Sequence, residues 1–295
     1  MDRVLEYEIP SEYDGANITT VLKRHFKIST NLIKDLKKYK EGIQVNGEHR
    51  RVVDFVAKGD ILKITIRDTA SENIVPTDIP LDIVYEDEDV LVINKPPNMP
   101  THPSMGNYEN SLANGVMYYY KSKGEERVFR AVNRLDKDTS GLMAVAKNSY
   151  IHARLGEEIQ KKELKRKYMC IVCGDVEHDG TVDAPIRRAD GSVINRIVAP
   201  DGQRAVTHYR VIKRYREYTL LEMELETGRT HQIRVHMAYI GHPLVGDWLY
   251  GTENHNIAKR QMLHSCYLCF THPITGQIME FKDEMAEDMR AFIEK

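Results

Sequence analysis

Ala131-Val132-Asn133-Arg134-Leu135-Asp136-Lys137-Asp138-Thr139-Ser140-Gly141-Leu142 is the stretch on which the reading of this 295-residue chain turns. An Arg and an Asp stand two residues apart. A Thr-Ser-Gly turn follows, and the apolar run Leu142 to Ala146 then reads as a strand. A carboxylate held at the lip of that strand, with a guanidinium beside it, suits chemistry on a charged polymer. Composition alone does not choose between Asp136 and Asp138, and an isolated Arg-x-Asp pair would be an ordinary surface ion pair.

Downstream of the turn, Leu142 to Lys147 is a strand, and Asn148 or Ser149 can cap a helix running through Ile159. β-prone runs then dominate: Tyr168 to Val172, Ala205 to Ile212, Tyr218 to Leu225 and Leu263 to Phe270. Between them, Gly228 to Tyr239 reads as a helix with Ile233, Met237 and Ile240 on one side, stopped by Gly241. Upstream, Leu81 to Tyr85 and Val90 to Asn94 are strands. The second must end at Lys95-Pro96-Pro97, because proline cannot continue a ladder. Ser111 to Tyr120 reads as helical. Many strands with few intervening helices predict an α+β domain over 81–295 with a mixed, mostly antiparallel sheet.

Residues 1–70 read as a self-contained α/β unit. Ile18, Val21, Leu22 and Phe26 recur at near-helical spacing. A second helix is expected from Ser29 to about Tyr39, with Leu32, Ile33 and Leu36 as its apolar stripe and Ser29 or Thr30 as its cap. Gln44-Val45-Asn46-Gly47 then makes an Asn-Gly hairpin, and Ile61 to Ile66 closes the unit as a strand. Between residues 23 and 40 stand Lys23, Arg24, Lys27, Lys34, Lys37, Lys38 and Lys40 against the single acid Asp35, a basic face fit for phosphates. The polar stretch 71–80, with Pro76 and Pro80, reads as a linker.

A net charge of −2 argues against a uniformly basic nucleic-acid coat and leaves room for this local face. A 41% hydrophobic and 29% charged composition fits a soluble globular chain. No apolar run approaches the roughly 20 residues needed to cross a bilayer. The start, Met1-Asp2-Arg3-Val4-Leu5-Glu6, lacks a secretory signal, so a cytoplasmic location without membrane association is expected. The four cysteines form two C-x-x-C pairs, Cys170/Cys173 and Cys266/Cys269. Both sit in apolar, β-prone surroundings where residues three apart face opposite ways, so buried thiols are expected rather than a zinc site. The spacings of His231, His236, His242, His264 and His272 match no zinc signature either. No metal is expected.

The motifs, in order, resemble those of the RluA/RluD-type pseudouridine synthases. Arg134-Leu135-Asp136 with Thr139-Ser140-Gly141 is similar to the family's catalytic motif. Tyr85-Glu86-Asp87 through Ile93-Asn94-Lys95-Pro96 is similar to its opening motif, and Lys167-Tyr168, within Lys165-Arg166-Lys167-Tyr168-Met169-Cys170-Ile171-Val172-Cys173-Gly174, to its Lys-x-Tyr strand. Gly180 to Ile186 and Ala205-Val206-Thr207 match further landmarks. Thr227-Gly228-Arg229-Thr230-His231-Gln232-Ile233-Arg234 resembles the third catalytic motif, followed by Gly241-His242-Pro243, Gly246-Asp247, Leu263-His264 and His272-Pro273. Together these span roughly 81–281, far more specific than any one motif. Asn133 departs from the family's His before Arg-Leu-Asp, and Asn98-Met99-Pro100 replaces its usual Gly. The pattern of residues 1–70 resembles an S4 RNA-binding domain.

The resemblance implies an RNA pseudouridine synthase, an isomerase that breaks the N1–C1′ bond of a uridine, turns the uracil and rejoins it through C5. The base must first leave its stack, at a cost of a few kcal/mol. A carboxylate must act on the sugar or base as nucleophile or base, and a neighbouring arginine favours its ionised form. By resemblance Asp136 is that carboxylate, Arg234 its partner and Tyr168 the active-site tyrosine, whose ring can stack on uracil. Arg134 fills the gap left by the base or meets phosphate. Lys167, Thr139, Arg229 and His231 complete the expected substrate-binding set, and Lys23, Lys34, Lys37 and Lys38 the RNA-binding face. No cofactor is needed. RNA is the partner, ribosomal RNA ahead of transfer RNA. The competing reading is an RNA-binding ribosome-assembly factor of the same fold with weak or lost catalysis, against which the intact Asp136, Tyr168 and Arg234 stand.

Overall fold

The computed structural model describes residues 2–67, 74–251 and 257–294. A first sheet takes four strands, β1 (Arg3–Glu8), β2 (Ile43–Val45), β3 (Glu48–His49) and β4 (Ile61–Ile66), in the order β1-β4-β2-β3. Two helices pack on it, α1 (Ile18–Arg24) and α2 (Thr30–Leu36). Asn17 caps α1 by accepting from the Thr20 amide, and Ser29 caps α2 by accepting from Leu32. The expected stripe Leu32, Ile33, Leu36 is buried. Phe26 lies past the end of α1, though still in the core. Asn46 and Gly47 both take positive φ, as a tight hairpin with an Asn-Gly turn requires.

The rest of the chain builds a larger sheet. Its strands begin with β5 (Asp82–Glu86), β6 (Val90–Lys95), β7 (Ser140–Ala146), β8 (Lys165–Cys173) and β9 (Gly180–Asp183). A small ribbon of β10 (Ile186–Arg188) and β11 (Arg196–Val198) follows. The sheet is completed by β12 (Val206–Arg214), β13 (Tyr218–Leu225), β14 (Leu263–Thr271) and β15 (Ile278–Lys282). Among the described residues its nine strands run β5-β6-β7-β14-β8-β13-β12-β9, with β15 added to β14. There β7 and β14 pair in parallel, and every other pairing is antiparallel. The helices of this part are α3 (Leu112–Ser122), α4 (Ser149–Gln160), α5 (Gln232–Tyr239) and α6 (Glu287–Ile293). The fold is thus mixed α+β on a largely antiparallel sheet, as the strand-rich pattern predicts.

The central strands are buried on both sides, and their alternation sorts residues between two cores. Val90, Val92, Leu142, Ala144 and Ala146 share one core with Tyr150, Ile151 and Leu155 of α4 and with Leu5, Val21, Leu22, Leu36 and Ile64 of the first sheet and its helices. Leu91, Ile93, Met143, Val145, Tyr168 and Cys170 belong to a second core with Leu112, Val116 and Ile233. The N-terminal unit therefore covers one face of the main sheet, and the expectation that 1–70 stands by itself does not describe its packing. Arg3 forks onto Asp89 at 2.8 and 2.9 Å, and the Tyr150 hydroxyl donates to the Phe26 carbonyl at 2.9 Å. Removing the unit would strip cover from several apolar side chains at roughly 1.5–3 kcal/mol each.

Two further expectations change in detail. Of the stretch read as a linker, 71–73 lies outside the described residues. Beyond it, Val75 and Thr77 bond to Asn114 of α3 rather than hanging free. The helix expected from Gly228 starts only at Gln232, because His231 takes a left-handed conformation and the Gln232 side chain accepts from Thr227 and Arg229 instead. All four cysteines are free, with Cys170 and Cys266 buried. Burial pushes the Cys266 thiol up to about 11. Among the described residues no group of three or more His, Cys, Asp or Glu is placed to hold a metal, and no helix is long and apolar enough to cross a membrane.

Gly141 shows why the Thr-Ser-Gly turn is built as it is. Its φ is +109°, and a Cβ there would lie 2.2 Å from the Ser265 carbonyl oxygen. Only glycine lets β7 come this close to β14 at their parallel pairing, where Ser140 and Gly141 face His264 and Ser265.

Candidate active site

Asp136 sits in the loop just before β7, on the side of the sheet that carries Tyr168. Three groups hold this loop from below. Lys95, wholly buried at the end of β6, donates to the carbonyls of Pro96, Met99 and Lys137 at 2.8, 2.8 and 3.1 Å. Burial pulls its pKa down to about 7, with Asp138 and Asp136 pulling it back. Three carbonyl acceptors call for three N–H donors, which only the ammonium form supplies. Thr101 donates to the Leu135 carbonyl at 2.8 Å, and Arg260, paired with Asp288, donates to the Asp138 carbonyl at 3.1 Å. Thr139 closes the turn by donating its amide to the Asp136 carbonyl at 3.1 Å, and its buried hydroxyl accepts from Gln261.

The Asp136 carboxylate faces two side chains from one distant helix start. Arg234 Nη1 lies 3.4 Å from Asp136 Oδ2, and His231 Nε2 lies 3.8 Å from the same oxygen. Arg234 is itself fixed from behind by a bidentate pair with Asp247, Nε to Oδ2 at 2.7 Å and Nη2 to Oδ1 at 2.8 Å. Asp247 is fully buried, and its Oδ1 also accepts from the amides of Leu249 and Tyr250. Burial opposes the charge on Arg234, yet the Asp247 hydrogen bonds and the Asp247 and Asp136 charges outweigh it and raise its pKa. Gly246 permits this placement: its φ is +73°, and a Cβ would meet the Arg260 carbonyl oxygen at 2.0 Å.

His231 is steered by Tyr250, whose hydroxyl lies 2.8 Å from Nδ1, accepts from the Arg196 amide and leaves Nε2 turned toward Asp136. The same ring lies 5.1 Å under the Arg234 guanidinium. Burial pushes His231 below the ordinary histidine value, with Asp136 pulling the other way, so its ring is neutral near pH 7. Tyr168 lies on β8 with its ring buried. Burial, followed by the Asp136 charge, raises its phenol, which keeps its proton at neutral pH.

These groups line one cleft of about 560 Å³, within the usual range of roughly 300–1,000 Å³ for small-ligand sites. Asp136, Thr139, Tyr168, His231 and Arg234 all reach it, and Arg134 and Arg229 stand exposed at its rim. Lys167 does not reach it. As the neighbour of Tyr168 on β8 it points to the other face of the sheet, pairs with Glu222 at 3.2 Å and lies over Tyr267. Lys23, Lys34, Lys37 and Lys38 are exposed on α1 and at α2, with Lys38 paired to Asp35. Asp247, Lys95, Thr101 and Tyr250 take no role in the reading of the sequence. Asp247 and Lys95 do stand inside two of its ordered motifs, Gly246-Asp247 and Asn94-Lys95-Pro96, which is the one signal that points to them.

Replacing Lys95 with Met keeps the length of the side chain and leaves three carbonyls under the loop without a donor. We expect a loss of about 2–4 kcal/mol in urea unfolding, since a buried unsatisfied group costs about 1–3 kcal/mol, and a turnover lowered with it. An unchanged unfolding midpoint would show that the loop does not depend on this lysine.

Comparison with known proteins identifies the family. Residues 89–239 match the RNA pseudouridylate synthase family. An uncharacterized RNA pseudouridine synthase of Bacillus subtilis, YjbO, is 44% identical over 90% of this chain and 94% of its own length. The ribosomal large subunit pseudouridine synthase D of Pasteurella multocida is 40% identical over 85% of this chain and 82% of its own. Among solved structures, human RNA pseudouridylate synthase domain containing 1 shares the fold, with a TM-score of 0.59 at 24% identity, covering 70% of this chain and 84% of that one.

Proposed function

The chain belongs to the RNA pseudouridylate synthase family and is an RNA pseudouridine synthase; from that premise we propose that Asp136 is the catalytic carboxylate and that ribosomal RNA is the substrate. The observation that carries the assignment is the Asp136 carboxylate, 3.4 Å from a buried arginine and open to a cleft that Tyr168 lines. A uridine swung out of its stack places its sugar and base in this cleft. Asp136 acts there as nucleophile or base while the N1–C1′ bond breaks and the C5–C1′ bond forms. The proton lost from C5 is balanced by the one gained at N1. Arg234 holds the carboxylate and balances its charge. Tyr168, protonated and in the wall, stacks on the uracil and is placed to donate through its hydroxyl. His231 contacts Asp136 as a neutral ring. Thr139 shapes the turn from the cleft wall, and Lys167 has no place in the cleft.

Ribosomal RNA is favoured because the name of the Pasteurella relative specifies the large subunit. Residues 1–70 read as an S4-like RNA-binding unit on the strength of the paired helices and the Asn46-Gly47 turn within 2–67, and the cytoplasm is the matching location. The test is to incubate the protein with large-subunit rRNA fragments and with tRNA transcripts, and to read pseudouridine by mass spectrometry. Product in rRNA alone supports the substrate class. Product in tRNA alone overturns it. Tight binding without product in either returns the assembly-factor reading.

The basic helices carry their own expectation. The double variant Lys34→Gln, Lys37→Gln should bind the same RNA more weakly. It should also flatten the dependence of log affinity on log salt by about 0.7 for each phosphate no longer neutralised. The folded core should be untouched, since both side chains are exposed. An identical salt slope would remove α2 from the RNA surface.

A further inference from the structure

Arg166 is a buried arginine for which the described residues provide no partner. It is 8% exposed, and its Nε is buried without a hydrogen-bond acceptor. Among the described residues it forms no ion pair and no hydrogen bond through any guanidinium nitrogen. The other well-buried arginines beside the cleft are satisfied: Arg234 by Asp247, and Arg260 by Asp288. Glu226, the other acid lining the cleft besides Asp136, is engaged by Lys162 at 2.5 Å, His208 at 2.9 Å and Arg204 at 3.7 Å. Its Nε is shut off from water without an acceptor while its Nη groups open to the cleft, so a negative group supplied from outside the chain is the simplest partner for it.

Its position says where that charge comes from. Arg166 precedes Tyr168 by two residues on β8, so both project from the same face, roughly 7 Å apart along the strand. Arg166 lines the same cleft as Tyr168 and Asp136. Gly228 runs past its guanidinium, where a Cβ would lie 3.5 Å from Nη1, an ordinary contact. Arg229 and Arg134 stand exposed on the same rim. An uncharged uracil carbonyl would leave the charge unmatched, whereas a phosphodiester offers two oxygens to the planar fork and a full negative charge.

We propose that Arg166 is the phosphate-binding site of the cleft, gripping the RNA backbone beside the nucleotide whose base stacks on Tyr168. This rests on the reading of the cleft as the uridine site. The site makes Arg166 a substrate-binding residue that sets how far the nucleotide enters before Asp136 meets the sugar.

The test uses the full chain and a single-stranded RNA oligonucleotide with one uridine, in which each flanking phosphate is replaced in turn by an uncharged methylphosphonate. Affinity is read by fluorescence anisotropy. For the wild type, one replacement should weaken binding about tenfold. Arg166→Gln should bind the unmodified RNA about tenfold more weakly and be indifferent to that same replacement, and Arg166→Lys should recover part of the loss. Arg166→Met, which removes an unpaired buried charge at similar volume, should melt no lower than the wild type. The assignment is overturned if Arg166→Gln keeps the full wild-type sensitivity to every linkage, if it binds unmodified RNA normally, or if Arg166→Met melts many degrees lower, the mark of a structural role. Pseudouridine formation is followed separately. Turnover with no phosphate coupling sinks the Arg166 site alone; coupling without turnover on any RNA sinks the catalytic reading and leaves the site.

Discussion

Asp136→Ala should abolish pseudouridine formation while leaving the fold and the affinity for RNA nearly intact. The carboxylate is partly open to the cleft, with 19% of its side chain exposed, and the hydrogen bond it accepts there is the 3.4 Å one from Arg234. Removing it leaves no buried charge stranded, because Arg234 keeps both bonds to Asp247. The cost therefore falls on the reaction. A group that attacks or takes a proton contributes at least about 10²–10⁴-fold, and losing this carboxylate should bring turnover below detection. Asp138→Ala is the matched control. Its carbonyl serves Arg260 through the backbone, which the substitution preserves. Mass spectrometry of treated RNA decides: product from Asp136→Ala at the wild-type rate, or an inactive Asp138→Ala beside an active Asp136→Ala, would show that Asp136 is the wrong aspartate.

The second large effect should come from a residue that touches no substrate. Asp247→Ala removes the bidentate partner of Arg234 and leaves a guanidinium, 5% exposed, facing an emptied site. Breaking a buried pair by deleting one partner costs about 3–5 kcal/mol, so the melting temperature should fall by several degrees or more. Turnover of the fraction still folded should fall by orders of magnitude as well, since Arg234 loses the fork that points Nη1 at Asp136. Asp247→Asn keeps the shape with weaker bonds and should lie between the two. Arg234→Ala should show the same kinetic loss, leaving the Asp247 carboxylate buried and partnered only by the Leu249 and Tyr250 amides. A stable Asp247→Ala protein with normal turnover would mean that Arg234 is placed by something other than this pair.

How much of this is legible in the chain differs from element to element. β7 and β8 are legible because their apolar runs are continuous, as strands covered on both faces must be. The caps at Ser29 and Asn148 are legible as local signals, and each accepts the amide hydrogen bond its position calls for. The start of α5 misleads because the stripe Ile233, Met237 and Ile240 marks a helix without marking where it begins, while the turn before it is made by a side chain: Gln232 reaches back to Thr227 and Arg229 and displaces helical bonding there. Lys167 misleads because the motif places it beside Tyr168, and adjacency along a strand means opposite faces. The packing of the N-terminal unit on the main sheet is hidden for a related reason. Val90, Val92, Leu142 and Ala144 are as apolar toward the N-terminal unit as their neighbours are toward α3, and a string of letters does not say what covers the second face.

The order of motifs around Asp136, and with it the chemistry and the α+β class, was settled by sequence alone, because strand periodicity, turn residues and capping are short-range and leave their mark in consecutive positions. Only the folded chain decided who faces whom. Asp136 and Arg234 are 98 residues apart, Thr139 and Gln261 are 122, and among the described residues Arg166 stands without a counter-ion. Such pairings are set by how strands and helices pack across the sheet, where burial makes an ion's partner, or the lack of one, matter most.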